Sequence, residues 1–271
     1  MLRTFISKSP PKFYTSDSFL LLMVLLLVSG ICLAQDVIES PTSTVKGTAQ
    51  IEIASSYESF KEGNEKSVGY TAGSLLFLYG VSDAVEIRFG MDFQQDGVRV
   101  NGRKPTSVES GYTPLQIGVG ADLIKEKGIF PKISFIGDMF LPSTGGSDFK
   151  QDKLGFGLKA GFFHNLGKSH NAQLNYNLGA DFGNDDLAYF YGITYLYNIG
   201  SIGGAYLELN GNLPDDFSPN HYISAAFYWT PTANIQFDTI VGRGINADQD
   251  FYLTGRLQIY IPNTKTKTTN Q

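Results

Sequence analysis

From about Gly47 to Ile261 every second residue is apolar or aromatic across a succession of short segments, and helical spacing is almost absent. A period of two sends neighbouring side chains to opposite faces of a strand, so the chain is bound to an all-β fold with one greasy and one polar face. In AQIEIASSY, Ala49, Ile51, Ile53 and Tyr57 share a face, opposite Gln50, Glu52 and Ser56. VEIRFGMDFQ sets Val85, Ile87, Phe89, Met91 and Phe93 against Glu86, Arg88, Gly90, Asp92 and Gln94. LQIGVGADL, LGFGLKAGF, AQLNYNLGADF, AYLELNG, ISAAFYW, NIQFDTIVG and FYLTGRLQI keep the rhythm. Two segments break it. In VGYTAGSLLFLYG the apolar phase moves from even numbers (Val68, Tyr70) to odd ones (Phe77, Tyr79), which predicts a bulge near Gly73. In ISFIGDMFL, Ile136 and Phe140 fall in phase with Lys132, Ser134 and Asp138.

The segments number about twelve, each near the length of a tilted membrane strand. Counted from the first strand, the odd connections are the longer ones: FKEGNEKS, the stretch from about Asp96 to Gly111, PSTGGSDFKQ, GNDD, LPDDFSPN and NADQD. The even ones are tight: GVSD, KEKG, HNLGKS, NIGS and TPTA. Such alternation fits an even-stranded meander that closes with both termini on one side, which would be the periplasm. Tyr79, Phe130, Phe162, Tyr197, Trp229 and Tyr260 lie beside the tight turns, and Tyr57, Tyr70, Phe93, Tyr112, Phe182 and Tyr189 near the opposite ends, as two interfacial girdles would.

The start of the chain reads as an export signal. Arg3, Lys8 and Lys12 precede the apolar run FLLLMVLLLV, Phe19 to Val28, and the small-residue stretch SGICLA comes before Gln35. Cleavage is expected after Ala34. The only cysteine, Cys32, would leave with the leader, so the exported chain could form no disulfide. Losing Arg3, Lys8, Lys12 and Asp17 leaves 18 basic and 25 acidic residues, a net charge of -7. An acidic chain offers no basic surface for nucleic acid, and no stretch after the leader has the roughly 18 apolar residues of a membrane helix.

Alternation alone does not say which face is inside, because a soluble barrel or sandwich would bury the apolar one. The small residues Gly90, Gly118, Gly120, Gly155, Gly157 and Gly179 all fall on the polar face, which suits a crowded lumen better than open solvent. With the leader, they favour an antiparallel up-and-down transmembrane β-barrel of about 12 strands. The polar residues assigned to its interior are Glu52, Glu86, Arg88, Asp92, Gln116, Asp122, Asp138, Lys159, Asp181, Glu208, Asp238 and Arg256. Turned to lipid, each charge would cost about 2–4 kcal/mol near the midplane.

The order of short motifs resembles the bacterial MetA-pathway of phenol degradation family of outer-membrane transporters. The matching stretches are ESPTSTVKGTAQIEIASSYE, LLFLYGVSDAVEIRFG, PKISFIGDMFLPSTGG and AAFYWTPTANIQFDTIVGRGINADQDFYLTGRLQIYI, running from about Glu39 to Ile261. The resemblance implies a transmembrane barrel that passes small, often hydrophobic or aromatic compounds, and it carries no catalytic residues over. One departure is the polar PNTKTKTTNQ after Ile261, where outer-membrane barrels commonly end on an aromatic residue read by the assembly machinery.

Signs of chemistry are sparse. His164 and His170 flank a tight turn, where solvated side chains are the ordinary case rather than metal ligands. His221 and Ser224 raise the idea of a lipid hydrolase, yet a three-residue offset points them to opposite faces. The acidic clusters GNDD, PDDF and NADQD could hold Ca²⁺ but suit ordinary water-facing loops. No cofactor, no metal site and no catalytic residue is expected.

The sequence therefore predicts a signal peptide over 1–34, a periplasmic segment over 35–46, an outer-membrane barrel over 47–261 and a polar tail over 262–271. It would act in a Gram-negative outer membrane as a monomer, with outer-membrane lipid, the assembly machinery and a small solute as partners. The expected function is facilitated diffusion, with Glu86, Arg88, Asp92, Asp122, Asp238 and Arg256 as selectors. The alternatives are a closed structural or surface-interaction barrel using the Asp96 to Gly111 loop, and an outer-membrane lipid hydrolase.

Overall fold

The structure, a computed structural model, describes residues 44–62, 65–100, 108–167, 171–183, 186–214 and 218–263. The leader, the first part of the N-terminal segment, His170 and most of the polar tail lie outside the described residues. The described residues form thirteen strands: β1 (Ala49–Glu62), β2 (Glu65–Ser82), β3 (Val85–Val100), β4 (Val108–Tyr112), β5 (Gln116–Ile124), β6 (Lys132–Phe140), β7 (Gly155–Leu166), β8 (Ala172–Gly183), β9 (Asp186–Asn198), β10 (Gly203–Pro214), β11 (Asn220–Thr232), β12 (Ile235–Gly244) and β13 (Gln249–Ile261).

All pairings are antiparallel between neighbours, and β1 also pairs with β13, which closes the sheet into a barrel. Two of the thirteen share one position in the wall. β4 pairs with β3 through Phe93–Gly97, and β5 pairs with the same strand through Val85–Gly90, so the closed ring has 12 positions. The division falls at residues 113–115, where Pro114 has no N–H to give to a ladder. Closure pairs every strand on both sides except the short β4, which pairs with β3 alone, so backbone polar groups along the ring are satisfied within the wall, as a lipid environment demands.

The phase break in the second segment is a bulge. Ala54 pairs with Ser74 but Ser56 with Thr71, and on the other side Thr71 pairs with Gln94 but Gly73 with Phe93. One extra residue in β2 thus keeps Tyr70 on the same face as Tyr57 before the bulge and Phe77 on the same face as Phe89 after it.

The outer connections expected to be long are mostly strand. β1 and β2 continue until only residues 63–64 separate them, and β3 and β4 until 101–107 do. Polar residues such as Lys61, Lys66 and Gln95 pair across these ladders above the apolar band, because a backbone hydrogen bond does not depend on side-chain polarity. The long irregular connection is 141–154, which folds against β4 through Gly146 N–H to Tyr112 O at 2.8 Å and Thr144 Oγ1 accepting from Leu115 N–H at 2.8 Å.

Outward positions carry the apolar band. Val119, Leu158, Leu178, Ile193, Leu207, Phe227 and Val241 are all exposed. At the end where the described residues begin (Thr44) and finish (Asn263), here the proximal end, Phe162 stacks on Tyr176 at 4.9 Å and Trp229 on Phe237 at 5.8 Å. Towards the distal end Tyr57 meets Tyr70 and Phe251, and Phe93 meets Tyr112. The buried apolar cluster lies on the inner face: Tyr206, Ala226, Ile240 and Tyr252, backed by Leu196 and Tyr228.

Candidate functional site: the lumen

Cavities run in series through the interior, and three of them, lined by described residues, share lining residues from one to the next. The distal one, about 500 Å³, lies among Glu58, Phe60, Asp92, Gln151, Tyr222 and Gln249. The middle one, about 300 Å³, shares Asp92, Gln116, Phe140, Asp181 and Phe190 with it and adds Asp138 and Lys159. The proximal one, about 460 Å³, meets the middle cavity at Glu52, Leu76 and Arg256. Of the twelve polar residues assigned inward from sequence, all but Asp122 border these cavities. Asp122 is held by Lys132 at 2.8 Å, a pair formed between β5 and β6.

The wall from β3 to β8 is a ladder of charges laid over glycines. In register across it stand Arg88, Gly118, Asp138, Gly157 and Asp181. A Cβ on Gly118 would run into Asp138 Oδ1, and one on Gly157 would come within 2.7 Å of Asp181 Oδ1. Each glycine is a slot for the carboxylate of the next strand. Arg88 uses the same opening: its Nε lies 3.5 Å from Asp138 Oδ1 and its Nη1 donates to Glu86 Oε1 at 3.0 Å. Glu86 in turn lies over Gly120 and accepts the backbone N–H of Thr44 at 2.6 Å. Buried ions of this kind persist only when paired and hydrogen-bonded, and Arg88 and Glu86 side chains are 3% and 5% exposed. One row further, Lys159 lies over the Phe190 ring at 5.6 Å, and that ring fills the space above Gly179.

Thr44 brings the chain ahead of β1 into the proximal mouth. Gly47 N–H donates to Gly80 O at 2.7 Å, and the carbonyls of Thr44 and Val45 crowd the inner side of Gly80 so closely that no Cβ would fit. Thr44 and Val45 therefore line the proximal cavity.

The opposite wall, β9 to β13, is built differently. Its ion pair, Arg256 Nε to Asp238 Oδ2 at 3.3 Å, lies beside Gln236, which donates to Asp238 Oδ1 at 3.0 Å. Above it come Tyr206, Ala226, Ile240 and Tyr252. Glu52 and Glu208 each accept from a carboxamide two residues away on the same strand, Gln50 and Asn210, at 2.6 Å. Sequence alternation assigns the lumen its charges, but the rings that share it were missed. Their signal is present, since Tyr206 has the phase of Glu208 and Tyr252 that of Arg256.

The two described histidines, His164 and His221, are not among the residues lining these cavities. His221 Nδ1 lies 2.9 Å from the Tyr191 hydroxyl, while Ser224, 4% exposed, has the opposite phase on β11. His164 lies 3.5 Å from the Tyr176 hydroxyl. Among the described residues no three His, Cys, Asp or Glu side chains gather as a metal site would require.

Solved structures share the architecture. The COG4313 outer membrane channel from Pseudomonas putida F1 superposes with a TM-score of 0.69 at 13% identity, covering 83% of this chain and 100% of that one. The KdgM porin, solved in complex with disordered oligogalacturonate, gives 0.51 at 8% identity over 80% and 99% of the two chains. The translocator domain of the autotransporter NalP from Neisseria meningitidis gives 0.51 at 8% identity over 92% and 97%. At such identities the likeness is one of fold. No protein of curated description matches by sequence. A family model does, over residues 36–256, and the chain with its closed outer-membrane-type barrel belongs to the family described as "Putative MetA-pathway of phenol degradation".

Proposed function

We propose that this barrel is a channel for facilitated diffusion of small solutes across the outer membrane, favouring cations and neutral molecules over anions. The observation that carries the reading is the sign of the cavity lining. Among the described residues lining the three cavities, eight carboxylates (Glu52, Glu58, Glu86, Asp92, Asp138, Asp181, Glu208, Asp238) face three cationic side chains (Arg88, Lys159, Arg256). Rings of one charge in a pore raise the local concentration of the opposite ion and oppose its counterpart. Within this reading Glu52 and Arg256, at the junction of the middle and proximal cavities, and Asp92 and Asp181, at the junction of the middle and distal ones, act as selectors. The apolar and aromatic lining, with the family's description, extends the solutes to small hydrophobic or aromatic molecules. Export would follow cleavage after Ala34, and the unit would be a monomer.

The test is planar-bilayer recording of the refolded mature chain under a KCl gradient. A reversal potential displaced towards that of K⁺ is expected, with the displacement reduced in Glu52→Gln and Asp181→Asn. Anion preference, or no conductance, overturns the reading. The second reading, a closed barrel, draws on the segment at Thr44 and Val45 inside the proximal mouth. Liposome swelling with neutral solutes separates the two.

A further inference from the structure

The proximal cavity presents acceptors that no group of the described chain engages. Asn175 on β8 and Thr194 on β9 face each other in register, 8% and 4% exposed, and both line the cavity. Among the described residues Asn175 Oδ1 and Thr194 Oγ1 find no hydrogen-bond partner. Glu208 follows Thr194 in register on β10, so two neutral oxygens and a carboxylate stand in one row across three strands. Beside the row, Tyr206 and Tyr228 add aromatic surface. Around the whole cavity four carboxylates, Glu52, Glu86, Glu208 and Asp238, outnumber the guanidiniums of Arg88 and Arg256 by two.

Each feature selects for the same partner. Buried acceptors without donors call for a ligand rich in N–H groups. An excess of carboxylate calls for positive charge, and tyrosine rings attract a cation while covering apolar carbon. We propose that this cavity binds a small organic ammonium ion bearing an apolar or aromatic group. Its N–H donors engage Thr194 Oγ1, Asn175 Oδ1 and the Glu208 carboxylate, and its carbon skeleton lies against Tyr206 and Tyr228. A carboxylate ligand would meet the surplus acids, and a neutral alcohol would bring no charge to balance them. The inference rests on the channel reading for its biological sense, since the site would be a station on the path.

The probe is benzylammonium, compared with benzyl alcohol and benzoate, on the refolded mature chain. In bilayers, benzylammonium is expected to interrupt K⁺ current at concentrations at least tenfold below those of benzyl alcohol, with benzoate inert. In detergent micelles, calorimetry should give the same order of affinity without any need for conduction. Thr194→Val, which keeps shape and removes the acceptor, and Glu208→Gln should each weaken benzylammonium at least tenfold. Folding of each variant is checked by heat-modifiable gel mobility, and either one alone suffices. Binding that ranks the alcohol equal to the ammonium, or that ignores both substitutions, overturns the site. Ammonium binding sensitive to Thr194→Val in a barrel without conductance would uphold the site and sink the channel reading.

Discussion

The two halves of the lumen wall solve one packing problem in opposite ways. From β3 to β8 the interior is filled by charge, and glycines at 118, 120 and 157 provide room for carboxylates reaching across from neighbouring strands. From β9 to β13 the Arg256–Asp238 pair and Glu208 share the interior with rings and branched carbon, Tyr206, Ala226, Ile240 and Tyr252 forming one buried cluster. The charged half gains rigidity from pairs that tolerate no missing partner. The aromatic half gains it from shape, which degrades gradually when a group is removed. A barrel whose outer face is lipid must find its specificity inside, and here charge is weighted to one set of strands and buried rings to the other.

Substitutions that break this contrast differ in size. Arg88→Met should be the most damaging, at about 3–5 kcal/mol, because it leaves Glu86 and Asp138 buried as carboxylates without their guanidinium. Urea unfolding in micelles measures it, and adding Glu86→Gln should recover part of the loss. Tyr206→Ala on the other wall should cost less, about 2–3 kcal/mol, since the ring borders an existing cavity rather than closed packing. Single-channel conductance should rise in that variant and stay unchanged in Tyr206→Phe.

Glycine exchanges sharpen the same distinction. Gly179→Ala would bring its Cβ within 2.6 Å of the Leu158 carbonyl and onto the Phe190 ring, for a loss of about 1–3 kcal/mol. The lever there is the ring seat: Phe190→Leu in the same background should restore some of the thermal stability. Gly137→Ala should be the mildest, neutral or stabilising by about 0.4–1 kcal/mol, because its Cβ would meet only Phe135 and Leu158 side chains at 3.6 and 3.7 Å. Thermal unfolding that ranked Gly137→Ala with Gly179→Ala would contradict the division between packed inner slots and an accommodating outer face.

Much of the fold is legible in the amino-acid sequence, for a local reason. Strand alternation is written in consecutive residues, so the inward phase of Glu86, Arg88 and Asp92 can be read directly. The bulge in β2 shows itself as a phase change between Tyr70 and Phe77. Strand ends are less legible. The continuation of β1 and β2 through Lys61 and Lys66 uses backbone pairing beyond the apolar band, and polar side chains there look like loop. The division of one wall position into β4 and β5 leaves a weak trace, a proline between two alternating runs.

An antiparallel barrel of about twelve strands, the alternation of polar and apolar residues along each strand and the surplus of acids over bases can all be read from the order of amino acids alone. Who meets whom emerges with the folded barrel: Arg88 with Asp138, Lys159 with Phe190, Asn175 beside Thr194, and Tyr206 with Tyr252 in one cluster. The reason is that the direction of a side chain follows from its own strand, whereas its neighbour follows from the stagger between strands. That stagger accumulates around the ring from bulges and strand lengths, and it is fixed only when the last strand pairs with the first.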